Sequence, residues 1–282
     1  MIHSGKTRLA GVMGWPVSHS RSPRLHGYWL ARHGIDGAYV PLPVRPENLA
    51  QALRALPVLG FAGVNLTLPH KEAALAAMDA LSQSARRAGS VNLVVVGNDG
   101  RLSGDSTDGY GFIESLKEGA PGRSAGAGPA VVLGAGGAAR AIVAALLDAG
   151  APEIRLVNRS LPRAEALAAA LGGAIKPLPW ERREEALGEA ALLVNTTTLG
   201  MTGAPPLDLP LDRLPSTSVV VDIVYVPLET PLLAAARGRG LIAVDGLGML
   251  LHQARPAFAA WFKIGVLPEV TPELRRFVLE GA

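Results

Sequence analysis

Ala130-Val131-Val132-Leu133-Gly134-Ala135-Gly136-Gly137-Ala138-Ala139-Arg140 passes from a short apolar run, through a cluster of glycines, into an alanine-rich stretch. A brief apolar run bounded by glycine reads as a buried strand, and the alanine-rich continuation reads as helix. The glycines match G-x-G-x-x-A at that strand-to-helix turn. One glycine permits the tight turn, the next lets backbone amides approach a pyrophosphate, and a small third residue lets the helix pack close to the strand. The same turn could also serve only to pack a helix on a sheet.

Around this motif the chain alternates in a βαβ rhythm: strand 130–133, helix 138–149, strand 154–157, helix 163–171, then strands 192–195 and 219–223. A dinucleotide site places its ribose-reading residue about 20 residues beyond the glycines, at the end of the next strand. Here that strand ends in Asn158-Arg159-Ser160. An NAD site offers a carboxylate to the free ribose hydroxyl, whereas Arg and Ser pair with the oxygens of a 2′-phosphate. NADP is therefore the expected cofactor, and Arg163 is a candidate second cation.

The first third of the chain shows the same alternation, with strands at 9–14, 38–44 and 61–66 and helices at 23–33 and 47–56. Ser22-Pro23 and Thr67-Leu68-Pro69 both resemble helix starts, because proline is tolerated where a first-turn amide has no partner. Gly97-Asn98-Asp99-Gly100 predicts a hairpin between strands 92–96 and 101–103. The Gly- and Pro-rich segment 119–129 reads as a loop into a second domain. Helices at 246–262 and 272–279 have no strand after them, which suggests a return to the first domain.

Composition narrows the possible functions. The 282 residues carry 27 Lys plus Arg against 24 Asp plus Glu, a net charge of +3, and the basic residues are scattered rather than clustered. Neither nucleic acid nor membrane is expected as a partner, whereas a small anionic substrate suits this balance. There is no cysteine, which excludes disulfides, thiolate metal sites and cysteine nucleophiles. The first fifteen residues lack the apolar core of an export signal, so a cytoplasmic location is expected. The histidines show no metal-ligand spacing, and no metal is expected.

Two residues in the first half invite chemistry. If Pro69 opens a helix, Lys71 lies in its first turn, where a cation opposes the helix dipole, although an exposed lysine would read the same way. Asp108 lies in Gly104-Asp105-Ser106-Thr107-Asp108-Gly109-Tyr110-Gly111, where an ordinary helix cap is the competing reading. A carboxylate beside Lys71 would orient the ammonium and raise its pKa, and burial would lower it.

The motifs together resemble one family. Gly14-Trp15-Pro16-Val17-Ser18-His19-Ser20-Arg21-Ser22-Pro23, with His26, is similar to the N-terminal signature of shikimate dehydrogenases. The similarity continues in order through residues 65–71, 89–92, 104–111, 134–140, 158–160, 200–201, 222–227 and 246–253. It implies two α/β domains. Residues 1–107 plus 246–282 would form a substrate domain with a mostly parallel sheet, and residues 108–245 a Rossmann-like NADP-binding domain, with the active site in an intervening cleft.

The implied activity is NADPH-dependent reduction of 3-dehydroshikimate to shikimate, with Lys71 and Asp108 as the catalytic pair. A quinate/shikimate dehydrogenase of relaxed substrate or NAD preference is the alternative, together with a weakly active NADP-binding paralogue. By the same resemblance Ser20, Ser22, Thr67, Asn92, Tyr225 and Gln253 would bind the substrate. Gly134, Ala135, Gly136, Gly137 and Ala138 would hold the pyrophosphate. Asn158, Arg159, Ser160 and Arg163 would meet the adenosine phosphate, while Ile223, Gly246 and Met249 would lie near the nicotinamide. Family members occur as monomers and homodimers. Leu93, Ser106, Thr196 and Gln83 depart from the customary threonine, asparagine, alanine and acidic residue.

Overall fold

A computed structural model describes residues 3–280. In chain order the elements are β1 (Arg8–Gly14), α1 (Ser22–Arg32), β2 (Gly37–Pro43), α2 (Leu49–Ala55), β3 (Phe61–Leu66), β4 (Ala80–Leu81), α3 (Gln83–Ala88), β5 (Leu93–Val96) and β6 (Leu102–Asp105). There follow α4 (Asp108–Gly119), β7 (Ala130–Leu133), α5 (Gly137–Asp148), β8 (Ile154–Asn158), α6 (Leu161–Leu171), β9 (Ile175–Pro179), β10 (Leu192–Asn195) and β11 (Val219–Asp222). The chain ends with α7 (Pro231–Gly238), β12 (Ile242–Val244), α8 (Gly246–Phe262) and α9 (Pro272–Leu279). They form two compact units. The first extends through Thr107 and resumes at Gln253, and the second is Asp108–His252.

The sheet of the first unit has the order β2-β1-β3-β5-β6-β4. β1 is parallel to β2 and β3, but β5 runs antiparallel to β3 and β6. The hairpin is closed by the Gly97 amide donating to the Arg101 carbonyl at 2.8 Å and the Gly100 amide to the Gly97 carbonyl at 3.0 Å. Residues from both ends of the chain build this unit. Arg21 donates to the Val278 carbonyl at 2.9 Å, Trp29 Nε1 to that of Glu269 at 3.2 Å, and Trp261 Nε1 to that of Val94 at 2.9 Å. Gly63 is required where Trp261 crosses, because a Cβ there would overlap the indole and the Val94 carbonyl.

The second sheet is parallel throughout, in the order β12-β11-β10-β7-β8-β9. Counted from β7 as the first strand, that is 3-2-1-4-5-6, the doubly wound Rossmann arrangement. β7, β10 and β11 are buried along their whole length, which explains their unbroken apolar runs. One core lies on each side: Ile142, Leu146 and Phe112 contribute to one, and Leu187, Leu233 and Leu241 to the other.

Several expectations change. Residues 69–72 form turns rather than a helix start, and only a 3-10 turn follows at Ala73–Ala77. The His70 amide donates to the Thr67 carbonyl at 2.9 Å, so Pro69 serves a turn. Lys71 therefore does not stand in the first turn of an α-helix and opposes no helix dipole. The segment 119–129 lies within the second unit, which already begins with α4, and Ala120 and Ala125 are buried there. The first unit resumes at Gln253 rather than at Gly246, because the opening turns of α8 pack inside the second unit. Gly248 sits against Ser115, and His252 Nε2 lies 2.7 Å from Glu118. The sequence reading also passed over β4, α3, β9, α7 and β12.

Candidate functional site

In the first unit two of the implied substrate residues, Asn92 and Gln253, meet in one buried polar cluster. Asn92 precedes β5, and its Nδ2 donates to Thr107 Oγ1 at 3.0 Å and to Gln253 Oε1 at 3.1 Å. Its Oδ1 accepts the Thr107 amide at 2.8 Å, and the Thr107 hydroxyl also reaches the Gln253 carbonyl at 2.9 Å. Asn65, the penultimate residue of β3, supports this cluster. Its Nδ2 donates to the Asn92 carbonyl at 2.9 Å, and its Oδ1 accepts the Tyr39 hydroxyl at 2.7 Å.

Lys71 is half-buried in the turn after β3. Its carbonyl accepts the Val91 amide at 2.8 Å. The preceding His70 is buried, and its Nε2–H donates to the Val44 carbonyl at 2.8 Å, so the turn carrying Lys71 is anchored beyond the end of β2. Thr67 lies beside Gly14, where a Cβ would come within 2.5 Å of the threonine methyl. Ser20 Oγ accepts the Ser22 amide at 3.3 Å. Ser22 does not cap α1. The cap position falls on Arg21 and no side chain fills it, so the capping explanation for this serine fails.

His26 lies in this unit's core, where it stacks on Tyr39 with ring centroids 4.0 Å apart and borders Trp29, Phe258 and Trp261. Neither ring nitrogen has a partner at full hydrogen-bond geometry. Burial lowers its pKa to about 3 against a weaker upward pull from Asn65.

In the second unit Asp108 is the first residue of α4 and is 3% exposed. Gly134 follows β7 with φ +104°, and an added Cβ would stand 2.6 Å from Thr196 Oγ1. Both the turn and the close approach therefore require glycine. Gly136 occupies the N-cap of α5 without a side-chain cap, Gly137 opens that helix, and Ala138 lies in its first turn, while Ala135 is buried. The N-terminus of a helix is in general a favourable place for an anion.

Beyond β8, Arg159 and Ser160 are exposed, while Asn158 Nδ2 donates to the Ser160 carbonyl at 2.9 Å. Arg163 is not simply solvated, because its Nε donates to the Ala135 carbonyl at 2.9 Å and braces the glycine loop. Ile223 packs against the core that holds Met249, so packing accounts for both apolar side chains. Gly246 opens α8 against the Ile223 carbonyl, which an added Cβ would overlap. Tyr225 is half-buried in the loop between β11 and α7.

The sequence reading missed a second buried polar cluster, which lies in the second unit. Asp222 ends β11 fully buried and accepts from Asn195 Nδ2 at 3.0 Å, the Val224 amide at 3.0 Å and the Thr230 hydroxyl at 2.7 Å. Burial pushes its pKa up to about 6 against the downward pull of those three donors. Its signal was a polar residue closing an apolar strand, twice over: Val219-Val220-Val221-Asp222 and Leu192-Leu193-Val194-Asn195. Among the described residues no three His, Cys, Asp or Glu converge as a metal-binding group. None of the described helices is long and apolar enough to cross a membrane.

Comparison with known proteins follows this division. A family model described as the shikimate dehydrogenase substrate binding domain matches residues 12–94, and one described as shikimate/quinate 5-dehydrogenase matches residues 123–201. The chain is 64% identical over 281 residues to the shikimate dehydrogenase (NADP(+)) of Rhodospirillum rubrum, covering 98% of each chain. The chain belongs to the shikimate dehydrogenase family. Its fold matches the Thermus thermophilus shikimate 5-dehydrogenase, solved with NADP(H) and shikimate, with a TM-score of 0.83 at 41% identity over 97% of this chain and 99% of that one. A quinate dehydrogenase of Corynebacterium glutamicum, solved with NAD, gives a TM-score of 0.88 at 32% identity over 97% and 99%.

Four residues depart from the shikimate dehydrogenase pattern. Leu93 is buried and pairs across the hairpin with Asp105, while Ser106 is buried with a hydroxyl that has no partner. Thr196 donates to the Leu133 carbonyl at 2.6 Å, which an alanine could not do. Gln83 opens α3 behind a capping Ser82.

Proposed function

We propose that this protein catalyses the reversible NADPH-dependent reduction of 3-dehydroshikimate to shikimate. The 64% identity across nearly the whole of an NADP-dependent shikimate dehydrogenase carries the reading. The residues fit the cofactor: open space lies beside Gly136 at the N-cap of α5, and an exposed arginine follows β8. Bound NADPH would supply a hydride to the carbonyl carbon. The second unit would hold it, with Gly134–Ala138 at the pyrophosphate and Asn158, Arg159, Ser160 and Arg163 at the 2′-phosphate. Ile223, Gly246 and Met249 would shape the nicotinamide end.

The first unit would hold the substrate. Ser20 and Ser22 are hydroxyl donors for its carboxylate, and the Asn92–Gln253 cluster and Thr67 would bind its hydroxyls; Tyr225, the remaining candidate, belongs to the second unit. Lys71 supplies the proton that turns the developing alkoxide into a hydroxyl, and Asp108 accepts from a substrate hydroxyl.

The test is NADPH oxidation with 3-dehydroshikimate, run beside 3-dehydroquinate and beside NADH. Lys71→Ala should lower kcat by about 10²- to 10⁴-fold, the usual worth of a positioned proton donor, while NADPH still binds. Arg159→Ala should raise the KM for NADPH by roughly 10- to 100-fold, the worth of charge-assisted hydrogen bonds, and leave NADH unaffected. A Lys71→Ala enzyme with normal turnover, or equal losses with both dinucleotides, would refute these assignments.

A further inference from the structure

The second sheet carries a buried polar brace that no catalytic assignment uses. β7 and β10 adjoin at the switch point of the strand order, and ligands of such sheets lie outside the carboxyl ends of the strands. The glycine loop leaves β7, and Arg159 follows β8 on one side of it. With the adenosine half over β8, the other half of a dinucleotide must extend over the ends of β10 and β11. Asn195 and Asp222 are the last residues of those two strands and stand opposite each other in register.

These two residues and Thr230 are each no more than 1% exposed, so a ligand cannot touch them. What they hold is the loops. Asn195 Oδ1 accepts the Thr197 amide at 3.0 Å and its hydroxyl at 2.7 Å, and Asn195 Nδ2 reaches both the Leu199 carbonyl at 3.2 Å and Asp222. Asp222 in turn fixes the Val224 amide and Thr230, the N-cap of α7. Beside them Thr196 ties the first loop to the end of β7. A single carboxylate thus joins the segment after β10 to the segment after β11, which carries Ile223 and Tyr225.

We propose that Asp222 is a positioning residue for the nicotinamide half of the dinucleotide, acting with Asn195 and Thr230 through the two loops it joins. The proposal rests on the NADP reading above. Three donors converge on the carboxylate, and its removal leaves Asn195, Val224 and Thr230 without their buried acceptor. Asparagine at 222 would keep one oxygen for Asn195 and Val224 and would donate from its amide to the Thr230 oxygen. The brace would then survive without the charge.

The experiment compares Asp222→Ala, Asp222→Asn, Thr230→Val and Thr230→Ser with wild type. NADPH and adenosine 2′,5′-bisphosphate binding are followed by fluorescence titration, and KM and kcat are measured at pH 7.5. The bisphosphate probes the adenosine end alone. Asp222→Ala and Thr230→Val should weaken NADPH about tenfold and lower kcat about tenfold, with the bisphosphate affinity and the KM for 3-dehydroshikimate within twofold of wild type. Asp222→Asn and Thr230→Ser should stay within about threefold of wild type in every measure.

If Asp222→Ala does not fold, the Thr230 pair decides. Unchanged NADPH binding in Thr230→Val would overturn the proposal. Equal weakening of both ligands would also overturn it, because the cluster would then merely hold the unit together. A wild-type protein that binds neither ligand would overturn the NADP reading and this proposal with it.

Discussion

Acid should unfold the first unit through His26. The ring is wholly buried among Tyr39, Trp29, Phe258 and Trp261, and burial holds its pKa at about 3 against the ordinary 6.5. An unfolded chain therefore takes up a proton as the pH falls through 6.5, while the folded ring remains neutral until about pH 3. The stability tied to the neutral ring is fully present above pH 6.5 and is lost progressively below it. Between pH 7.5 and 4.5 the difference is two units of pH below 6.5, about 2.7 kcal/mol at 1.36 kcal/mol per unit. That is a large share of the 5–15 kcal/mol typical of a domain.

Urea unfolding at the two pH values, followed by tryptophan fluorescence, reads this directly, because Trp29 and Trp261 flank the ring. His26→Leu serves as the reference. It loses stacking at every pH, but its stability should fall by about 2.7 kcal/mol less than that of wild type on going to pH 4.5. Identical losses in the two proteins, or a ring proton in an NMR titration that moves with a midpoint near 6.5, would refute the reasoning.

Asp222 should act with the opposite sign. Its pKa is raised to about 6 from 3.8, so its contribution is most favourable below pH 3.8 and is lost as the pH rises through 6. Relative to Asp222→Asn, the wild-type second unit should lose about 3 kcal/mol across that window, as measured by chemical denaturation; parallel pH curves would contradict this. Gly246→Ala should place a methyl group against the Ile223 carbonyl. An overpacking cost of about 1–3 kcal/mol should appear as a lower Tm together with weaker NADPH binding, and an unchanged Tm would show that α8 shifts freely.

Where a residue's local backbone dictated its identity, the chain was legible. Gly134 announced a strand, turn and helix because few other residues tolerate its positive φ, and the hairpin at Gly97–Gly100 was equally plain. Pro69 misled because proline after a threonine suits a turn as well as a helix start. β9 was missed because Pro177 and Pro179 argue against a strand, yet at the sheet edge proline is tolerated. β4 and β12 are two and three residues long, too short for any periodicity.

The candidate site divides in the same way. Lys71, Asp108 and Arg159 sit in recognisable motifs. Tyr39, Asn65 and Thr107 join Asn92 from other elements, and Asn195 reaches Asp222 across 27 residues, so only the folded chain shows those partners.

The interrupted first unit has a consequence for biosynthesis. Residues 108–252 are continuous, so the second unit can close while the chain is still on the ribosome. The first unit cannot. Arg21 waits for Val278, and the Val94 carbonyl waits for Trp261. At roughly 5–20 residues per second, the 145 residues from Asp108 to His252 impose a delay of about 7 to 30 s. During that time the apolar strands of the first unit lack their closing helices. A nascent chain of this kind is exposed to chaperones and proteases at its amino-terminal end, and a stop codon a few residues early would damage the part made first.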